Sequence, residues 1–303
     1  MDLRHFRYFI AVAEEGHITR AAERLGMQQP PLSQRIKAIE RELDVQLFRR
    51  KPRGVELTAA GQAFLKNARA VLAQFNRTFE TTRRTARGEE GEICVGITPI
   101  SPFHPFVPRV IRTFRETYPD VGLRLEESLG QDLLGLLRNE QIDAAFLGTA
   151  AAVGHDGFIC DLLIEEPMLV ALPSQHPLAQ RRHKTLTLRN LAGEAFILYR
   201  PLGAGLNQIM MLACRAAGFS PRVGQEAPRV TSALSLVAVG LGVSLVPASL
   251  QHVTMNGVVY RSLAGSVRPK VPHTLVSRRG DPSPVVRHFV RLVRQAAKNA
   301  RAK

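Results

Sequence analysis

The chain contains no tryptophan, four tyrosines and three cysteines in 303 residues. With aromatic residues at 6% of the composition and hydrophobic ones at 45%, its cores must be aliphatic, which suits helices and buried parallel strands better than a β-sandwich. Cys94, Cys160 and Cys214 are odd in number and far apart, so they supply neither a disulfide framework nor a paired metal knuckle. A reducing cytosol is the expected compartment. The amino-terminal MDLRHFRYFIAVAEEG carries charge throughout and lacks a small-residue cleavage site, which argues against a signal peptide. The longest apolar stretch, 234–250, is interrupted by Ser235, Gly240, Gly242, Ser244 and Pro247, and so reads as a buried helix running into a strand, with no membrane partner. Catalytic signatures are missing too. There is no HxxxH or HxE pairing among nine histidines, no GxSxG and no phosphate loop, so neither an enzyme nor a cofactor or metal is expected.

Acidic residues are also scarce where basic ones collect. Residues 1–90 hold 17 Lys and Arg against 11 Asp and Glu, residues 91–260 hold 13 against 14, and residues 261–303 hold 11 against 1. Two basic ends around a neutral middle point to a polyanionic partner.

Three helices are legible at the amino terminus. Leu3, Phe6, Ile10 and Ala13 recur at helical spacing over residues 3–14, and Ile18, Ala21, Ala22 and Leu25 form the face of a second helix. The small Ala21–Ala22 pair allows close helix approach, and Gly26 supplies a tight turn. The third helix, from about Gln29 to Leu43, has an apolar stripe of Leu32, Ile36, Ile39 and Leu43. That leaves Gln29, Pro30, Pro31, Ser33, Gln34, Lys37 and Arg41 on or near the outer face. Such a face suits the major groove of double-stranded DNA: Gln pairs with adenine N6 and N7, and a proline ring or Ser touches a thymine methyl. In VQLFRRKPRGVELT two apolar segments flank Arg49, Arg50, Lys51, Pro52, Arg53 and Gly54, a hairpin with a cationic tip. Arg50 and Arg53 there would grip phosphate or reach into the minor groove.

The run FIAVAEEGHITRAAERLGMQQPPLSQRIKAIERELDVQLFRR, followed by RGVELTAAG, closely resembles the amino-terminal signature of LysR-type transcriptional regulators. QPPLS looks most like the subgroup that controls aromatic-compound degradation. Where that family has Ser or Thr before the second helix and Ser before the third, this chain has His17 and Gln28, poorer N-caps expected to cost about 1 kcal/mol each.

A long helix is expected from Thr58 to Arg87, with an apolar seam of Phe64, Ala68, Val71, Phe75 and Phe79. The resemblance implies that this seam pairs two chains, in a homodimer or homotetramer that presents two reading heads to symmetric promoter DNA, with RNA polymerase as a further partner. Beyond residue 91, strand-like segments at 93–98, 122–128 and 143–148 alternate with helical ones, implying an α/β parallel sheet with ligands at the strand carboxyl ends. LIEEPMLVALPSQHPLA and GLGVSLVPAS resemble the family's effector domain, a two-lobed fold of the type 2 periplasmic-binding-protein class. The expected domains are a winged helix-turn-helix at 1–58, a linker helix and hinge at 59–90, and a regulatory domain at 91–303. Lobe one is placed at 91–163 and 267–303, and lobe two at 164–266.

In that architecture an anionic effector, a small carboxylate or aromatic acid, lies between the lobes against helix starts and hydroxyls. The candidates are Thr98, Ile100 and Ser101 after the first strand, Ser128 and Leu129 after the second, Arg200 and Pro201 after FILY, and Thr231 at the start of SALSLV. Family members that bind muconate or benzoate carry Thr near Leu129 and a shorter loop than TPISPFHP, so this chain departs from them at both places. An alternative within the family is redox sensing through Cys160 or Cys214. The basic end, Arg287, Arg291, Arg294, Lys298, Arg301 and Lys303, reads as a helix with Val286, Phe289, Val290 and Val293 buried and a solvated charged face, or as an auxiliary DNA contact.

Overall fold

The computed structural model describes residues 1–52, 54–148, 157–180, 185–200 and 205–302, in two compact units, Met1–Thr85 and Ala86–Lys303. In the first unit α1 (Leu3–Glu15), α2 (Ile18–Arg24) and α3 (Gln29–Leu43) pack around Phe9, Val12, Ala21, Ala22, Leu32, Ile36 and Ile39. An antiparallel hairpin follows, β1 (Phe48–Lys51) and β2 (Gly54–Leu57), and then the long helix α4 (Ala59–Ala86). Asp2 caps α1 by accepting from the Arg4 and His5 amides, while the His5 ring accepts from the Asp2 amide. The Thr58 hydroxyl caps α4 by accepting from the Gly61 amide at 2.9 Å.

Two sequence expectations about α3 are corrected. Leu43, placed on the buried stripe, is 37% exposed: α3 ends there, Asp44 takes φ +53°, and the last turn projects past the core. Gln28 makes no side-chain cap, yet little is lost. A cap side chain serves the second and third amides of the helix, and in α3 those positions are Pro30 and Pro31, which have no N–H. His17 does cap α2, its Nδ1 accepting from the Thr19 amide at 3.2 Å.

In the second unit, β3 (Gly91–Ile97), α5 (Phe106–Thr117), β4 (Val121–Glu127), α6 (Gly130–Arg138) and β5 (Ala144–Leu147) alternate as expected, and the three strands are parallel in the order β4-β3-β5. The sheet continues through two antiparallel strands, β12 (Lys270–Arg278) and the 16-residue β6 (Phe158–Pro173). From Phe158 to Pro167, β6 pairs with β12. From Met168 to Pro173 it pairs instead with β10 (Ser244–Pro247) and β11 (Val258–Leu263). One strand thus runs from the first lobe into the second. Beyond it lie β7 (Thr185–Leu186), the parallel pair β8 (Ala195–Tyr199) and β9 (Arg222–Ala227), α7 (Gly205–Ala216) and α8 (Val230–Ala238). Each lobe has its own core. Phe106, Phe114, Phe146 and Phe289 dominate the first; Val170, Leu172, Phe196, Leu234 and Leu245 belong to the second. The apolar stretch 234–250 is the end of α8 followed by β10, and α9 (Pro284–Arg301) buries Val286, Phe289, Val290 and Val293 as its periodicity predicts.

Candidate functional site

Two groups of residues face chemistry. In the first unit α3 presents Gln29, Pro30, Pro31, Gln34 and Lys37 exposed and Ser33 half-buried, while Leu32, Ile36 and Ile39 hold its other face to the core. The inner face also positions the hairpin, because Glu40 Oε1 accepts from the Leu47 and Phe48 amides at 2.9 and 3.1 Å. At the other end the Val55 amide donates to Gly16 O at 2.8 Å. Gly54, at φ +139°, lies so close that a Cβ there would sit 2.2 Å from the same carbonyl, so only glycine fits.

The cationic tip is divided by a residue that the sequence reading passed over. Glu56 lies across from Arg49 in the hairpin register and pairs with Lys51 at 3.0 Å and Arg49 at 3.7 Å, an arrangement that lowers its pKa, chiefly through Lys51. Arg50 lies across from Val55 and is exposed, with no ion pair among the described residues. Arg53 lies outside the described residues.

The apolar seam of α4 also divides. Phe64 stacks on Phe6 at 5.7 Å and meets Phe9 edge-on at 4.7 Å, and Ala68 is fully buried, so both serve the unit's own core. Val71 and Phe79 are 40% and 51% exposed, and the Phe75 and Phe79 rings lie 4.8 Å apart.

In the second unit, Thr98 and Ser128 are brought together at the carboxyl ends of β3 and β4, where the Ser128 amide donates to Ile97 O at 3.1 Å. Ser101 is fully buried. Its hydroxyl shares a 2.7 Å hydrogen bond with Thr98 Oγ1 and donates to Phe146 O at 3.3 Å. Ile100 packs into the second lobe's core, so its backbone is what it can offer a ligand. Leu129 is exposed at the start of α6, which has no side-chain cap. On the other lobe, Arg200 follows β8, its amide donating to Ala227 O, and its side chain is 3.7 Å from Glu226. Thr231 is half-buried in the first turn of α8, another helix without a side-chain cap. Pro201 lies outside the described residues. Two surface grooves, of about 600 and 730 Å³, flank α5, and none of these candidates lines them. Arginines line both grooves, Arg112 and Arg115 in one and Arg109 and Arg291 in the other, while the Ser128 hydroxyl lies 3.4 Å from Asp132 Oδ2 in the first turn of α6.

The cysteines sit in environments that disfavour thiolate. Burial raises the pKa of Cys94 and, together with Asp161, that of Cys160, and it pushes Cys214 up to about 11. The basic face of α9 is less free than its composition suggests. Arg294 pairs with Asp161, Arg301 donates to the Leu162 and Leu163 carbonyls, and Arg287 donates to Asp281 and Pro282 carbonyls. Its cations partly tie the helix to its own lobe.

Sequence reasoning missed a polar cluster where the lobes join: Glu166 on β6, His273 on β12 and Ser249 in the short turn Ala248–His252, all buried, with half-buried His104 just before α5 against them. The only local signal was a charged pair, Glu165–Glu166, inside an apolar strand. No described residues form a cluster able to hold a metal ion, and no described helix is long and apolar enough to cross a membrane.

Comparison with known proteins accounts for both units. Residues 3–62 match the model for bacterial regulatory helix-turn-helix proteins of the lysR family, and residues 86–298 match the LysR substrate binding domain. The HTH-type transcriptional regulator CatR of Pseudomonas putida is 37% identical over 301 residues, spanning 98% of this chain and all of that one. AlsR of Bacillus subtilis, also an HTH-type transcriptional regulator, is 35% identical over 96% of this chain and 95% of its own length. Among solved structures, full-length CbnR complexed with its target DNA superposes with a TM-score of 0.86 at 30% identity, covering 98% of this chain and 100% of that one. The chain therefore belongs to the LysR family of bacterial helix-turn-helix transcription regulators, with a DNA-binding unit at its amino terminus and a LysR substrate-binding domain behind it.

Proposed function

We propose that a small organic anion, a carboxylate or aromatic acid, binds between the two lobes of the second unit and thereby alters how a cytoplasmic homodimer or homotetramer holds promoter DNA. The observation that carries this reading is the pair of uncapped helices, α6 and α8, whose first turns lie beside Thr98 and Ser128 on one lobe and Arg200 and Thr231 on the other. Free amides at a helix start favour a negative charge, and a ligand held on both lobes stabilises one arrangement of them over another. The exposed Val71 and Phe79 support pairing through α4.

The effector reading is tested by thermal denaturation of the full chain with a panel of small organic acids and their uncharged amides. At a hundred times its dissociation constant a true effector adds about 2.7 kcal/mol, which should raise the melting temperature of a domain this size by roughly 5–10 °C. Stabilisation by the amides but not by the acids would overturn the anionic part of the reading.

For DNA we assign base reading to Gln29, Pro30, Ser33 and Gln34 and the nonspecific grip to the hairpin cations. Gln29→Ala should cost about 1–3 kcal/mol at one operator position and relax specificity there. Arg50→Ala should weaken all sequences alike and reduce the salt slope by about 1. Gel-shift titrations at several salt concentrations separate the two, and identical behaviour of both variants would refute the assignment.

A further inference from the structure

The lobe junction holds more polar chemistry than packing requires. Glu166 and His273 are both almost fully buried, and Glu166 Oε1 lies 2.7 Å from His273 Nε2. The carboxylate also accepts from the Ser249 amide at 2.7 Å and the Ser249 hydroxyl at 3.1 Å. These contacts join β6 and β12, the strands that continue between lobes, to the turn Ala248–His252 of the second lobe. The His104 ring sits against His273, centroids 4.8 Å apart, and its Nδ1 accepts from the Phe106 amide, the first of α5, at 3.2 Å. His104 therefore connects the loop that carries Thr98 and Ser101 to the junction.

Accepting from an amide requires a bare Nδ1, so His104 occupies this position as the neutral ring. A proton on Nδ1 would set two donors face to face and detach the ring from α5. It would also place a new cation beside His273, so that both rings share the Glu166 carboxylate. We propose that Glu166, His273 and His104 form a proton-operated latch between the two lobes: neutral His104 holds the start of α5 to the strands that bear Ser249's partner, and protonated His104 releases it. Its bearing on promoter binding rests on the reading that the lobe arrangement carries the effector signal.

The charged groups facing His104 set the sign. Burial is the largest influence and lowers its pKa, His273 on β12 and Arg109 on α5 lower it further, and Glu166 on β6 opposes them. The turn Ala248–His252 contributes Ser249, while its His252 is exposed. A histidine whose folded pKa is depressed stabilises the closed form above the usual value of about 6.5, and that contribution is lost as pH falls from there toward the lowered pKa. Glu166 is held below the ordinary carboxylate value because His273 and the Ser249 amide outweigh its burial, so it stays ionised while His104 titrates.

Hydrogen exchange of the full-length protein tests the latch. Between about pH 7.5 and about pH 5.5, after correction for the intrinsic pH dependence of exchange, segments 104–110 and 246–252 should become less protected, by up to about tenfold per pH unit, as expected for uptake of one proton. Segment 93–97 in β3 should not change. His104→Asn keeps an acceptor for the Phe106 amide but cannot titrate, so it should abolish the acid response and leave neutral-pH protection intact. Unchanged protection in the wild type, or the same acid response in the variant, overturns the latch. The wild-type measurement decides even if the variant fails to fold. Neither readout involves effector or DNA, so failure of the latch is distinguishable from failure of the effector reading.

Discussion

Replacing Phe9 by Ala is expected to destabilise the first unit by about 3–5 kcal/mol and to abolish promoter binding at protein concentrations that saturate the wild type. Phe9 is fully buried, edge-on to Phe64 of α4 at 4.7 Å and tilted against Phe48 of β1 at 5.0 Å. One ring thus joins the three-helix core, the hairpin and the long helix. Removing it leaves a cavity that none of its neighbours can fill without moving the hairpin, whose cations are assigned to phosphate. Native domains are stable by only about 5–15 kcal/mol, so the loss is a large share of the total. Because the chain has no tryptophan, denaturant unfolding is best followed by far-UV circular dichroism alongside a gel shift. Phe9→Leu should recover most of the stability. A loss under about 1 kcal/mol for Phe9→Ala would show that the aromatic cluster is not what joins these elements.

Arg278→Met should destabilise the second unit by about 3–5 kcal/mol and lower its melting temperature by roughly 6–20 °C. The guanidinium bonds Asp143 at 3.0 Å and Asp281 at 2.7 Å and donates to the Leu137 and Ile142 carbonyls at 3.2 and 2.6 Å. Its partners extend the tie: Asp143 accepts from the Cys94 amide, and Asp281 accepts from the Ser283 amide at the start of α9. Methionine fills much of the same volume but leaves two carboxylates without their cation. Adding Asp143→Asn to Arg278→Met should then restore part of the loss, since one uncompensated charge is removed. If the double variant is as unstable as the sum of the single ones, the charge network is not the cause. The amino-terminal unit's transition should stay in place in either variant.

How much of this was legible in advance depended on the distance along the chain over which each feature is determined. Helical periodicity alone placed Gln29–Leu43, because Leu32, Ile36 and Ile39 are three and four apart and share one buried environment, and it failed only for Leu43 at the helix end. The same holds for the buried stripe of α9 and for the helix-to-strand reading of 234–250. The hairpin was legible from Pro52 and Gly54 between apolar flanks. Its charge pattern was not, because Glu56 neutralises Lys51 and Arg49 only through cross-strand register. Periodicity also merged two different seams on α4. Phe64 and Ala68 meet α1 within the unit, while Val71 and Phe79 stay exposed, and nothing in the spacing marks the change.

The order of the amino acids was enough for α3 and its exposed Gln29, Gln34 and Lys37, for the alternating strands of the first lobe and for the strand-end places of the effector candidates. Those are products of local spacing and turn chemistry, which the chain carries in any context. Packing between distant segments settled which polar groups are spent. It committed Ser101's hydroxyl to Thr98 and Phe146, α9's arginines to its own lobe, and Glu166 to His273, 107 residues away. Long β6 and β12, crossing from one lobe to the other, make that last pairing. Strand pairing is a long-range choice: an apolar segment such as LIEEPMLVALP specifies that a strand forms there, but not which strand will lie beside its one buried carboxylate.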